Sequence, residues 1–137
     1  MFKLHNSSDF IEFYFDPEQS TLTNLTMLIK VNANGFAGVH VLNVSKDRLA
    51  AFYAAVLNLE KTKVGEAKLL SENPGELEIS LRPTGLLETL MLASGTLTNI
   101  THLEHGPVLH SVTFGFEFPA RLLSEMIQFP WMQQFTS

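Results

Sequence analysis

The sequence predicts an α+β domain: an antiparallel sheet of about seven to eight strands with two amphipathic helices packed on it, in the order β-β-β-α-β-β-β-β-β-α. Three observations lead there. Most of the chain alternates apolar and polar residues with a period of two, the mark of half-buried strands. Turn residues recur at short intervals, too close for crossover helices, so neighbouring strands run antiparallel. Only two stretches carry the i, i+3, i+4 spacing of a helix face, one after Ser45 and one after Pro119.

The first predicted strand is Phe10 to Phe15, aromatic-rich and stopped by Asp16-Pro17, because proline cannot donate to a ladder. In the second, Leu22 to Ala33, the odd positions Leu25, Met27, Ile29, Val31 and Ala33 are apolar and the intervening Asn24, Thr26, Lys30 and Asn32 are polar. Asn34-Gly35 then suits a tight hairpin turn, and Phe36 to Val44 returns antiparallel. Ser45 is a favoured N-cap, Asp47 suits the positive end of a helix dipole, and Leu49, Phe52, Tyr53, Val56 and Leu57 form the apolar face of the first helix. Its other side, Ala50, Ala51, Ala54 and Ala55, either reflects helix propensity alone or offers a second packing surface.

Beyond Gly65, Glu66 to Ser71 and Glu76 to Arg82 read as a hairpin around Asn73-Pro74-Gly75. Pro83-Thr84-Gly85 turns the chain into a strand from Leu86 to Ala93. Ser94-Gly95 is expected to turn it again into Thr96 to Leu103, and Glu104 to Pro107 is expected to be a loop. Val108, His110, Val112, Phe114, Phe116 and Phe118 share one parity, which predicts a strand with that face in the core. Pro119 suits a first helical position, and Leu122, Leu123, Met126 and Ile127 face the core from a second helix that Pro130 closes. No internal repeat, linker or low-complexity segment interrupts 1–137, so a single domain is expected.

Composition narrows function. With 45% apolar and 17% charged residues the chain is not disordered, and a net charge of -5 lacks the basic footprint of a nucleic-acid binder. The absence of cysteine removes disulfide frameworks and thiolate chemistry, and no long apolar run suggests export or a membrane span, so the expected location is cytoplasmic. Phosphate loops, nucleophile elbows and His-Glu-x-x-His motifs are missing. His102, His105 and His110 crowd into nine positions and, with Glu104, offer an alternative as a small metal- or ligand-binding enzyme. Against it, His110 is expected on a core face and the other two beside a loop. His40, on the parity of Phe36 and Leu42, is expected as a hydrogen-bonded core histidine. No catalytic residue, metal or cofactor is therefore assigned.

The stretches GFAGVHVLNVSKDRLAAFYAAVLNLEKTKVGEAKLLS, PGELEISLRPTG and HSVTFGFEFPARLLSEMIQF, together spanning roughly residues 20 to 130, resemble WapI-type immunity proteins in their capped helix, return strand and closing strand and helix. The resemblance implies a non-enzymatic protein that binds and neutralises a cognate bacterial toxin domain. The Ala-rich helix face and the tail after Pro130 depart from that pattern. Strand carboxylates expected at the surface, Glu66, Glu76, Glu78 and Glu117, are the candidate partner contacts, since an acidic inhibitor is steered toward a basic toxin. A homo-oligomer formed through Ala50 and Ala54, or through Trp131 to Phe135, is the remaining alternative.

Overall fold

The computed structural model describes residues 1–21, 23–85 and 89–130. Their elements are β1 (Phe2–His5), β2 (Phe10–Asp16), β3 (Asn24–Ala33), β4 (Phe36–Ser45), α1 (Lys46–Thr62), β5 (Ala67–Leu70), β6 (Leu77–Pro83), β7 (Leu90–Leu103), β8 (Gly106–Pro119) and α2 (Arg121–Ile127). The α+β class and the antiparallel pairing hold. The strands divide, however, into two four-stranded sheets, β1-β2-β3-β4 and β5-β6-β7-β8, rather than forming one. The reason lies at α1: the helix carries the chain away from β4, so β5 starts a new meander instead of pairing with it. Two copies of one arrangement result, a four-stranded meander followed by a helix, although the sequence shows no repeat.

Three further boundaries differ from expectation. Phe2–His5 is a strand that the alternation was too short to announce, with Phe2 and Leu4 buried and paired to β2. Ser94-Gly95 is not a turn, because β7 runs straight through it. A Cβ on Gly95 would stand 1.9 Å from the Glu78 carbonyl oxygen, so the glycine serves close approach of β6 to β7. The expected loop at Glu104 to Pro107 shrinks to Glu104-His105, since Leu103 already pairs with Gly106. Of the expected strand Leu86 to Ala93, residues 86–88 lie outside the described residues, as does the tail 131–137.

One apolar cluster joins the inner faces of both sheets to both helices. Phe13, Ile29, Ile79 and Phe118 reach it from strands, Phe52 and Val56 from α1, and Leu123 and Met126 from α2. The α1 N-terminus forms as predicted, with the Ser45 hydroxyl accepting from Arg48 N–H at 3.2 Å. Its C-terminus ends at Lys63 in the left-handed region (φ 58), whose N–H donates to the Leu59 carbonyl. On the alanine side, Ala51 and Ala54 are exposed, whereas Ala55 is partly buried against the core. Outside the core lies the distal half of the β7–β8 hairpin, whose residues 98–111 have side chains in solvent on both faces, apart from partial cover at Thr98 and Gly106.

Candidate partner-binding surface

Alternation along β2, β3 and β4 sends one set of side chains into the core and the other outward, Thr26 alone of the outward set on β3 being buried, beneath Gln19 and Ser20, with no helix among the described residues covering the face. Registry sets the outward residues in rows: Tyr14, Leu28 and Val41 form one, and Glu12, Lys30 and Val39 the next. Val39 and Val41 are 53% and 52% exposed, values that distinguish β4 from an ordinary wet strand with polar outward positions. A shallow hollow of about 250 Å³ lies beside them, lined by Lys30, Asn32, Ala37 and Val39 among others. Around this aliphatic strip sits a polar rim. Exposed Asn43 accepts from the buried Thr26 hydroxyl at 2.8 Å, Tyr14 donates to Glu12 at 3.2 Å, and the Lys3 ammonium lies 4.6 Å from the Phe10 ring centroid. An apolar centre with a polar border and an aromatic anchor is the anatomy of a protein-binding patch. Desolvation of the Tyr14 phenol, followed by the charge of Glu12 and the hydrogen bond to it, holds its pKa above the usual 10.0.

The four predicted contacts do not converge. Glu66 and Glu78 share the outer face of β5 and β6, where Lys68 lies 3.4 Å from Glu66 and 3.9 Å from Glu78, and Arg82 lies 3.8 Å from Glu66. Their charge is balanced locally. Glu76 turns away from that face, toward β4: it is 3.4 Å from His40 Nε2 and accepts from Asn73 at 2.9 Å. Glu117 is exposed on β8, at the opposite edge of the sheet from β5. His40 is accordingly half-buried between the sheets rather than enclosed in the core.

The histidine cluster also disperses. His110 is exposed, contrary to its expected core position, because β8 reaches the core only from Val112 onward. Strand parity puts His102 and His110 on opposite faces of the hairpin, with His105 in its two-residue turn. Among the described residues no group of three or more His, Asp or Glu is placed to hold a metal ion. The outward face of β2–β4 was missed as a site, although the sequence does carry its mark: Val39 and Val41 are apolar alongside Leu42 and Val44, so both parities of one strand ask for cover.

Comparison with protein-family models, curated proteins and solved structures finds no match to this chain. No helix among the described residues is long and apolar enough to cross a membrane.

Proposed function

We propose that this chain is a non-enzymatic, cytoplasmic protein-binding domain that neutralises a cognate bacterial toxin domain, as the resemblance noted above implies, and that it contacts its partner through the outer face of β2–β4. The observation that supports the reading is the row Tyr14–Leu28–Val41 with Val39 beside it, an aliphatic strip left open on a strand whose other face is already buried. The locally neutralised Glu66 and Glu78 lend less to recognition than an unpaired acidic cluster does, and Glu117 remains as an exposed carboxylate.

The test is direct binding of the purified chain to a bacterial toxin domain whose growth inhibition co-expression of the chain relieves, with Val41→Glu and Tyr14→Ala as variants. A stoichiometric complex that each substitution weakens at least tenfold, with circular dichroism unchanged, supports the proposal. No complex with that domain, or a complex indifferent to both variants, overturns it.

A further inference from the structure

The edges of the two sheets are not alike. β1 and β5 are four residues long, and short edges resist unwanted pairing; β4, ten residues long, is engaged at its end, where Glu72 N–H donates to the Asn43 carbonyl and Ser45 N–H to the Glu72 carboxylate. β8 is a 14-residue edge strand with Glu117 as its one formally charged side chain. Such an edge is an invitation to another strand. Its free side can be read from the hairpin. Leu103 pairs with Gly106 across the two-residue turn, so even-numbered residues of β8 exchange hydrogen bonds with β7. The odd-numbered ones point the other way, and Asn6 confirms the direction by donating to the Glu117 carbonyl at 2.9 Å from outside the sheet. Leu109, Ser111, Thr113 and Gly115 therefore present N–H and C=O groups along the free edge.

We infer that a second copy of this chain pairs along that edge, β8 against β8, antiparallel about a two-fold axis at Val112. A two-fold relation is closed and requires positions equidistant from the axis to face one another. Leu109 then meets Gly115 of the second copy and Ser111 meets its Thr113, all with free backbone groups. The next facing pair is Pro107 with Glu117. Proline brings no N–H and the Glu117 carbonyl is already satisfied by Asn6, so at this last pair the one hydrogen bond left to make runs from Glu117 N–H to the Pro107 carbonyl. An axis at Phe118 also sets a proline, Pro119, opposite Glu117, but it carries the rest of the strand past the end of the other copy's β8, so the axis at Val112 is the one that also pairs the strand along its length.

Charge and shape agree with the same register. It carries the hairpin tip, Glu104-His105, alongside the far end of the other copy's β8. There a depression of about 570 Å³ is lined by His5, Asn6, Glu117, Pro119 and Arg121 among others. Glu104 approaches Arg121, an exposed guanidinium whose own-chain partner is Glu125 at 3.4 Å, so opposite charges face each other across the axis. On the outer face Leu109, 65% exposed, lies over Gly115, which has no side chain to obstruct it. The hairpin half that buries nothing in one chain acquires a surface to rest on. This interface leaves the outer face of β2–β4 open, so it stands or falls independently of the toxin-binding proposal.

The test uses the full chain and its lack of cysteine. Sedimentation equilibrium at tens of micromolar is expected to give twice the 15.3 kDa chain mass. Facing residues in a non-hydrogen-bonded antiparallel pair stand about 4.5 Å apart at Cα, within disulfide range, so Val112→Cys oxidises to a covalent dimer whereas Leu109→Cys does not. Glu104→Arg or Arg121→Glu alone weakens association about fivefold to tenfold, and the two together restore most of it. A wild-type monomer at 100 micromolar overturns the proposal. So does a dimer in which Leu109→Cys cross-links as readily as Val112→Cys, or one abolished by Val41→Glu but indifferent to the charge reversals.

Discussion

At the scale of single residues, two glycines separate backbone crowding from side-chain crowding. Gly95→Ala drives a methyl into the Glu78 carbonyl, and because that neighbour is backbone the β6–β7 ladder must shift. A loss of about 3 kcal/mol or more is expected in urea unfolding. Gly38→Ala meets the Val112 methyl at 3.0 Å and the Leu97 methyl and Val112 Cβ at 3.5 Å, all side-chain atoms, and is expected to cost less than about 1 kcal/mol. Near-equal losses would show that the two sites are not distinguished as the geometry requires. Tyr14 offers a second handle. Its phenol is held above 10.0, so the contribution to stability is complete below pH 10 and lost as pH rises through the higher folded value. The difference between phenolate absorbance titrations of wild type and Tyr14→Phe should show a midpoint above 10. A midpoint at or below it would remove Glu12 from the phenol's surroundings. None of this was legible in the sequence: Gly95 looks like a turn residue, and Glu12 and Tyr14 look like ordinary outward positions.

Elements were far more legible than residues, and the reason is physical. Where local chemistry and tertiary packing agree, a boundary can be read, as at Ser45, whose hydroxyl caps α1 while Leu49 and Phe52 dock in the core. Ser45→Ala is expected to lower stability by about 1 kcal/mol in thermal unfolding, and an unchanged melting temperature would deny the cap its role. Asn34-Gly35 is similar, both residues having positive φ at the β3–β4 turn. Reading fails where tertiary context overrides the local pattern. Ser94-Gly95 has turn composition, yet its neighbours on β6 and β8 hold it extended. His110 keeps the parity of Phe114 and Phe116, yet the opposing sheet does not extend far enough to cover it.

For the whole molecule, class and composition were readable and the arrangement of sheets was not. Period-two patterning says which face of a strand is buried but not which strand lies opposite, so one sheet and two stacked sheets write nearly the same sequence. The candidate surface suffered likewise. Carboxylates stand out in a sequence, whereas Tyr14, Leu28, Val39 and Val41 become one strip only when three strands are in register. Charge also reads differently once folded, because Lys68 and Arg82 offset the acids beside them and a net charge of -5 is not concentrated on the outer face of β5 and β6.

The shared apolar cluster has a consequence for how the protein is made. A ribosome finishes the first meander and α1 well before it reaches the second, and at about 5–20 residues per second the interval lasts several seconds. During that time Phe13, Met27, Ile29 and Phe52 have no opposing sheet to bury them. The first half therefore keeps that apolar face exposed until the second meander has been made.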